Sequence, residues 1–307
     1  MPRYAQLVVG PAGSGKSTYI SALLEHAEAT KRQMFALNLD PAAEVFNYQP
    51  SIDIRELVNL DDVMEDEELR LGPNGGLVYA MEYLMENLDW LTERLGTMED
   101  DYILIDTPGQ IELISHFDMM KKFVHYLTEN MNFRVCVVFL LDSQFVSDMS
   151  KYFSSLMVSL ITLINLELPV VNVLTKVDKI PPEARKFIDD LLEPSANLLE
   201  QNFRDATHDD NEDDNKNEDA TMNNESSNDG QEQSTSTAKS IQSKRTNTKF
   251  YQLSKVFAQL VDDYSLHKFL PLSVLEEDLL MDILFAADSC IQYGEDAEVN
   301  VQDFENL

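Results

Sequence analysis

The chain has 307 residues, 44% of them hydrophobic, and a formal net charge of -32. This length and apolar content predict a packed globular core and exclude a mainly disordered chain. Because the negative charge repels nucleic-acid phosphates, we expect no direct binding to DNA or RNA. Nucleotides or basic protein surfaces are the expected partners. The alternative is that the charge serves only solubility.

No segment has the pattern of a secretory signal or a membrane span. Residues 1–10 lack a charged leader region and a cleavage site, and the longest apolar stretch, 156–174, is interrupted by polar residues and a proline. We therefore expect no membrane partner and a cytoplasmic location. The two cysteines, Cys136 and Cys290, have no metal-ligand spacing and are predicted to be small core residues in a reducing compartment.

Short apolar runs alternate with longer segments of helical period along the chain. This alternation predicts an α/β fold, a three-layer α/β/α arrangement around a mostly parallel sheet, in which ligands bind at the carboxyl ends of the strands. The strands are expected at residues 4–10, 34–39, 102–105, 135–141, 170–174 and 269–272.

The first polar motif follows the first predicted strand, where residues 10–17 read Gly-Pro-Ala-Gly-Ser-Gly-Lys-Ser. A glycine-rich turn between a strand and a helix directs backbone N–H groups and the positive end of the helix dipole at a phosphate chain. The flanking strand and helix disfavour a chance glycine-rich turn, so this pattern predicts a phosphate-binding loop. We expect Lys16 to reach the β and γ phosphates and Ser17 to bind Mg²⁺. The predicted nucleotide-binding residues of this loop are Gly13, Ser14, Gly15, Lys16, Ser17 and Thr18.

Asp40 ends the second predicted strand and precedes a proline. We expect it to contact Mg²⁺ through water or to orient the attacking nucleophile, although an Asp-Pro pair also starts turns. Further along, an acidic helix is predicted at 53–68 and a long helical segment at 77–95. Between them, residues 72–76 read Gly-Pro-Asn-Gly-Gly, a composition typical of a tight loop.

The next motif, Asp-Thr-Pro-Gly-Gln at 106–110, ends the third predicted strand. Asp106 is expected to hold Mg²⁺ through water, Gly109 to offer its N–H to the γ phosphate, and Gln110 to orient the attacking water. Alone this pattern is common, but together with a phosphate-binding loop it favours nucleotide hydrolysis over a structural turn. Glu112 either supports the same water or is an ordinary solvated acid.

Residues 175–178, Thr-Lys-Val-Asp, follow the fifth predicted strand. The Asp178 carboxylate suits guanine, whose ring N–H and exocyclic amine both donate, whereas adenine does not offer these two donors side by side. We therefore predict base binding by Thr175, Lys176 and Asp178. The alternative is a helix-capping turn in which Asp178 is the cap.

Residues 205–249 contain almost only acidic, amide and hydroxyl side chains. Such a segment buries too little apolar surface to offset its ordering entropy, which predicts a disordered low-complexity insert. Helical spacing resumes at 250–264. We expect one domain over 1–296, interrupted by this insert, and a C-terminal tail at 297–307.

Taken together, the motifs at 10–17, Asp40, 72–74, 106–112 and 175–178 resemble the GPN-loop GTPases, a family of dimeric SIMIBI-class P-loop proteins. Within that family, four further stretches are most similar to the third eukaryotic paralogue. These stretches are residues 63–66, 142–145, 262–265 and 292–296.

The resemblance implies a Mg²⁺-dependent, GTP-hydrolysing dimeric switch. In it, the loop of Gly72, Pro73 and Asn74 from one protomer reaches the phosphates of the other, where Asn74 stabilises the departing phosphate in trans. It also implies that residues 271–273 lie near guanine, a heterodimer with the first paralogue or a homodimer, and a role in assembly and nuclear import of RNA polymerase II, with shuttling between cytoplasm and nucleus.

Two other functions remain open from the sequence. The first is an adaptor or assembly chaperone that is stabilised by nucleotide and whose output needs no GTP turnover. The second is a P-loop kinase, which the small number of Arg and Lys residues and the Asp178 motif disfavour.

Overall fold

The computed structural model describes residues 2–44, 46–96, 102–115, 118–147, 149–180, 192, 256, 259–260 and 268–295. The predicted insert at 205–249, most of the helical segment at 250–264 and the tail at 297–307 lie outside these described residues.

The described residues form a seven-stranded sheet in which every neighbouring pair is parallel, in the order β3-β2-β4-β1-β5-β6-β7. The predicted sheet and its strands are confirmed. One two-residue strand, β3, was not predicted because it is too short to show any periodicity. The strands are β1 (Arg3–Val9), β2 (Met34–Asn38), β3 (Ile52–Asp53), β4 (Tyr102–Asp106), β5 (Phe133–Asp142), β6 (Val170–Thr175) and β7 (Phe269–Leu272).

In the described part of the chain, helices lie between β1 and β2, between β3 and β4, between β4 and β5 and between β5 and β6, and three short 3-10 turns lie at 54–56, 143–147 and 177–179. None of the helices in the described part of the chain has the length and apolar content needed to cross a membrane. The helices are α1 (Lys16–Thr30), α2 (Leu60–Glu65), α3 (Pro73–Glu86), α4 (Leu88–Leu95), α5 (Glu112–Ser115), α6 (Met119–Glu129), α7 (Met149–Leu166) and α8 (Glu277–Ile291).

Two helix predictions were wrong in extent. The acidic helix expected at 53–68 contains only α2, because the preceding residues form β3 and a turn in which Asp53 accepts a hydrogen bond from the Arg55 N–H. The long segment at 77–95 is two helices, interrupted at Asn87. The Asn87 amide donates to the Tyr83 carbonyl at 2.8 Å, and such local side-chain bonds compete with helix continuation.

Side chains alternate between the two faces of the sheet, as β1 illustrates. Ala5, Leu7 and Val9 belong to a core shared with α3 to α7, whereas Tyr4 and Val8 belong to a second core shared with α1 and α8. The predicted three-layer α/β/α fold is therefore confirmed, with the sheet between two helical layers.

The two cysteines differ in environment. Cys136 on β5 is buried, as predicted, but Cys290 on α8 is exposed, so its prediction as a core residue was wrong. The buried stripe of α8 follows Ile283, Ala287 and Ile291, and Cys290 lies beside this stripe on the solvent side.

Candidate functional site

The phosphate-binding loop lies between β1 and α1, at the carboxyl edge of the sheet. Gly15, immediately before α1, has a φ of 98°, a conformation that glycine adopts without strain. No side chain caps the amino end of α1, and the buried Ser14 hydroxyl finds no hydrogen-bond partner among the described residues. Open helix N–H groups and a buried, unpaired hydroxyl fit an anion such as a phosphate chain.

Lys16 folds back over this loop. Its Nζ donates to the carbonyl oxygens of Gly10 at 3.1 Å and Pro11 at 3.4 Å. Burial lowers the pKa of Lys16, whereas the nearby charges of Asp106 and Asp40 act to raise it. The ammonium group therefore lies between an anion-binding loop and two carboxylates, within reach of a bound phosphate.

Ser17 and Asp106, both predicted as magnesium ligands, are brought together. The Ser17 hydroxyl donates to Asp106 Oδ2 at 2.8 Å, and the Tyr48 hydroxyl donates to the same oxygen at 2.9 Å. Burial raises the pKa of Asp106, against the opposing effects of these two hydrogen bonds and of the Lys16 charge. Tyr48 was missed by the sequence analysis, because a single tyrosine in a loop belongs to no motif.

This pair fits Mg²⁺ only with help from a nucleotide. Among the described residues, no group of three His, Cys, Asp or Glu side chains is placed to bind a metal ion. Mg²⁺ is commonly held by one or two protein oxygens together with substrate phosphates and water. The hydroxyl of Ser17 and the carboxylate of Asp106, next to the phosphate-binding loop, match that donor set.

Asp40 approaches this centre from β2, which is separated from β1 by β4. Its N–H donates to Asn38 Oδ1, and its own Oδ1 accepts from the Ala42 N–H, each at 2.9 Å. Burial raises the pKa of Asp40, while the Ala42 hydrogen bond and the charges of Lys16 and Arg55 act to lower it. Asp40 thus starts a turn and also lies in the electrostatic range of Lys16.

A side-chain network holds the Asp40 segment in place. Asn38 Nδ2 donates to Asp53 Oδ1 at 2.9 Å, and Asp53 pairs with Arg55 at 2.6 Å. The Arg55 guanidinium also donates to the Ala43 carbonyl at 2.7 Å and lies 4.6 Å from the centre of the Phe46 ring. Asn38, Asp53 and Arg55 were not found from the sequence, since β3, which carries Asp53, shows no periodic pattern.

The 106–110 turn packs directly against the phosphate-binding loop. A Cβ added to Gly109 would lie 2.9 Å from the Ala12 Cα, so only glycine permits this approach. Beyond it, Gln110 Nε2 donates to Asn74 Oδ1 of the same chain at 2.8 Å, in a solvent-exposed contact. The structure therefore brings the predicted water-orienting glutamine beside the predicted trans-acting asparagine, while Glu112 is exposed at the start of α5.

Asn74 occupies the second position of α3, directly after Pro73, which begins the helix. The residues expected to form a tight loop therefore lead into a helix, and proline is favoured at this first position because its missing N–H would have no helical partner. Gly72 and Asn74 are both exposed.

A cavity of about 300 Å³ opens beside the phosphate-binding loop on the β6 side. Thr175 is buried at its base, where its hydroxyl donates to the Ser14 carbonyl at 2.8 Å. Lys176 and Asp178, both predicted to bind the base, line the cavity. The full lining is Gly15, Thr18, Tyr19, Thr175, Lys176, Asp178, Lys179, Leu272, Val274 and Leu275.

Val274 and Leu275, which follow β7, were not found from the sequence as cavity residues. Their side chains are exposed by 54% and 84%. Leu272 lines the same cavity as Thr175, Lys176 and Asp178, so the 271–273 segment lies beside the residues predicted to bind the base.

Comparisons with known proteins give a matching family model and several similar proteins that share one name. A family model described as "Conserved hypothetical ATP binding protein" matches residues 8–293. The chain is similar to proteins named GPN-loop GTPase 3 from three organisms: Danio rerio (45% identity, 97% of this chain and 91% of the relative), Mycosarcoma maydis (44%, 97% and 95%) and Dictyostelium discoideum (40%, 100% and 93%).

A solved structure of a GTPase in apo form from Pyrococcus abyssi matches the fold, with a TM-score of 0.65 and 21% identity, covering 94% of this chain and 97% of that protein. At this identity the likeness concerns the fold alone.

Proposed function

The chain belongs to the GPN-loop GTPase family, within the SIMIBI class of P-loop proteins, and from this premise we propose that it binds GTP with Mg²⁺ and hydrolyses it. One observation carries the proposal: the Ser17 hydroxyl meets the Asp106 carboxylate at 2.8 Å beside Lys16 and the uncapped end of α1. Phosphoryl transfer depends mainly on positioning and electrostatic stabilisation, and this arrangement supplies both.

Each part of the site has a proposed role. The loop N–H groups of residues 13–18 bind the phosphates, and Lys16 exchanges the Gly10 and Pro11 carbonyls for β and γ phosphate oxygens. Ser17 and Asp106 would hold Mg²⁺, Asp106 through water, and Asp40 would contact the ion through a water molecule or orient the nucleophile. When bound, Mg²⁺ neutralises charge that develops on the phosphates.

The hydrolytic water is proposed to be placed by the side chains at the edge of the sheet. Gln110 accepts a hydrogen bond from this water and orients it. Asp40 is the second polar group that faces the water, and Glu112 supports it from the start of α5. The Gly109 N–H faces the γ phosphate, and Asn74 donates to the departing phosphate.

Guanine specificity is proposed to rest on the 175–178 segment. The family model is described as ATP-binding, whereas the relatives are named GTPases. Asp178 favours the second description, because a carboxylate accepts from the two donors of guanine and adenine does not offer these two donors side by side.

Thermal unfolding with GTP, GDP, ATP and XTP tests this specificity. A ligand at about 100 times its Kd stabilises by roughly 2.7 kcal/mol, and we expect this for GTP and GDP but not for ATP. Asp178→Asn should reduce the GTP effect and favour XTP, because xanthine has a carbonyl where guanine has its amine. Equal stabilisation by ATP and GTP would contradict guanine specificity.

Steady-state GTP hydrolysis tests the catalytic assignment. Lys16→Ala and Gln110→Leu are each expected to lower kcat by about 10²-fold or more, as removal of a transition-state contact does in other enzymes. Lys121→Ala, which breaks an exposed ion pair between α6 and Glu167 just after α7, is the matched control and should keep the wild-type rate. Wild-type rates in both site variants would refute the assignment.

We extend the proposal to the finer functions that the family resemblance implies. The protein is proposed to be a dimeric switch, either a heterodimer with the first paralogue or a homodimer. This switch is proposed to act in assembly and nuclear import of RNA polymerase II. The exposed Gly72 and Asn74 and the charge of -32, which suits basic clients, support it. Purification of the tagged chain from cells, with identification of co-eluting proteins, tests it. Asp40→Ala and Gln110→Leu variants that bind GTP, fail to hydrolyse it and still support growth would instead favour an adaptor without turnover.

A further inference from the structure

Lys176 connects the base side of the nucleotide cavity to the phosphate-binding loop. It follows β6 in the left-handed backbone region, with a φ of 58°. Its Nζ donates to the Gly13 carbonyl at 2.7 Å and to Asp142 Oδ2 at 2.6 Å. The Lys176 ammonium group therefore stabilises both the phosphate-binding loop and the wall of the base cavity.

Asp142, to which no role in the site has been assigned above, is placed to hold that ammonium. It is the last residue of β5, its side chain is 10% exposed, and its other oxygen accepts from the Gln144 N–H at 2.9 Å. Both oxygens are therefore fixed in direction. The adjacent Ser143 hydroxyl donates to the Lys176 carbonyl at 2.8 Å, so the end of β5 holds both the side chain and the backbone of Lys176.

The strand register explains why this contact is rigid. Asp142 lies directly opposite Thr175 in the parallel pair of β5 and β6, and Thr175 immediately precedes Lys176. A lysine side chain is long and flexible, and fixing it in one position costs entropy that a largely buried carboxylate offsets through a charge-assisted hydrogen bond.

We propose that Asp142 is a positioning residue for the nucleotide: acting through Lys176, it fixes the phosphate-binding loop at Gly13 and the wall of the base cavity. This inference rests on the nucleotide binding proposed above. Because Gly13 and the cavity are common to the di- and triphosphate, loss of Asp142 should weaken GDP and GTP binding to the same extent.

The test is a fluorescence titration of GDP and GTP with the full chain. Asp142→Asn keeps the shape and removes the charge, and we expect Kd for both nucleotides to rise by about 10-fold, the usual scale for losing a charge-assisted contact. At saturating GTP, kcat should stay within about twofold of wild type, because a residue that affects only uniform binding changes KM and not kcat. Weakening of GTP alone would overturn the inference.

A double-variant cycle separates positioning from a purely structural role. If Asp142 acts through Lys176, the pair Asp142→Asn with Lys176→Met binds GDP as weakly as Lys176→Met alone, since coupled residues give non-additive losses. Additive losses would overturn the inference. The matched control is Glu167→Gln, which removes an exposed carboxylate paired with Lys121 just after the end of α7 and should leave Kd unchanged.

The outcomes distinguish this inference from the proposed function. If wild-type protein binds neither GTP nor GDP, the proposed function fails. If wild type binds them and Asp142→Asn binds equally well, only the role of Asp142 fails. Should Asp142→Asn not fold, Asp142→Glu, which keeps the charge but displaces it, replaces it in the same cycle, and additive losses there overturn the inference as well.

Discussion

At the scale of single residues, the site is an acidic centre arranged around one lysine. Asp106 is buried and Asp40 is half-buried, and burial raises the pKa of each, while Lys16 is the cation that offsets them. In the absence of Mg²⁺ and nucleotide, these carboxylates oppose folding when ionised. The two ionised carboxylates therefore lower the stability of the unliganded protein, and ligand binding removes this loss.

Asp106→Asn tests that cost. Because the folded-state pKa of Asp106 is raised above its unfolded value, its contribution to stability is greatest at low pH and is lost as the pH rises through the folded-state pKa. The variant should therefore melt at a higher temperature than wild type at pH 7 to 8 without ligand, and the difference should shrink toward acidic pH. With Mg²⁺ and GTP the order should reverse, and a variant that melts lower at neutral pH without ligand would contradict this.

Gly109→Ala tests the close approach of the 106–110 turn to the phosphate-binding loop. The new methyl would lie 2.9 Å from the Ala12 Cα, and backbone cannot give way as a side chain can. We expect a loss of about 1–3 kcal/mol in stability, together with weaker GDP binding.

The matched control is Gly75→Ala in α3, where the nearest atom to the new methyl would be Cδ2 of the flexible Leu71 side chain, at 3.2 Å, and not backbone. This change should leave stability unchanged or raise it, because alanine is the better helix former. Equal effects of the two substitutions would show that the approach to Ala12 is not constraining.

At the scale of elements, α1 and α8 are held together on one face of the sheet by Arg32. Its guanidinium makes two hydrogen bonds to Asp288, at 2.7 and 2.8 Å, and lies 4.4 Å and 4.0 Å from the ring centres of Tyr102 and Tyr293. Since α1 begins at the phosphate-binding loop, this clamp stabilises the helix whose amino end is proposed to bind nucleotide.

Arg32→Ala should lower the free energy of unfolding by about 2–3 kcal/mol, because it leaves the largely buried Asp288 carboxylate without its partner. Urea denaturation measures this. Arg94→Ala is the matched control: its ion pair with Glu56 is about half exposed, and such pairs contribute roughly 0–1 kcal/mol. A loss for Arg32→Ala no larger than that of the control would contradict the clamp.

The element boundaries also separate what periodicity can predict from what it cannot. The long strands and α1 were predicted because each carries its apolar period over several residues. The break at Asn87 coincides with a hydrogen bond from its side-chain amide to Tyr83, and β3 is a two-residue pairing with β2 that a hydrogen bond from Asn38 to Asp53 supports. A few residues contain no period, so local pattern assigned both regions to helix.

At the scale of the whole molecule, the proposed dimer changes the contacts expected for Asn74. Within one chain Asn74 Oδ1 accepts a hydrogen bond from Gln110. Its proposed role at the phosphates of a partner requires this bond to break when two protomers meet, which would release both amides for the phosphate and the water. Dimer formation and the onset of hydrolysis would then be coupled.

A mixing experiment tests this coupling. Lys16→Ala lacks the phosphate-binding ammonium but keeps Asn74, and Asn74→Ala has the opposite defect. If sites are shared between two copies of this chain, a mixture should hydrolyse GTP faster than the sum of the separate variants, because a mixed dimer contains one complete site. A mixture equal to that sum, with Asn74→Ala still impaired alone, would place the action of Asn74 within its own chain.

The sequence alone determined the class of fold and predicted the motifs of the site: a phosphate-binding loop before α1, Asp106 and Gly109 after a strand, and Lys176 and Asp178 after another. These are local motifs, and their residues act through backbone conformations that near neighbours dictate. Only the tertiary structure decided which groups support them, namely Tyr48 on Asp106, Asn38 between Asp40 and Asp53, Asp142 on Lys176, and Gln110 on Asn74. Most of these partners are distant along the chain, and such contacts arise from the order of strands in the sheet, which no local periodicity encodes.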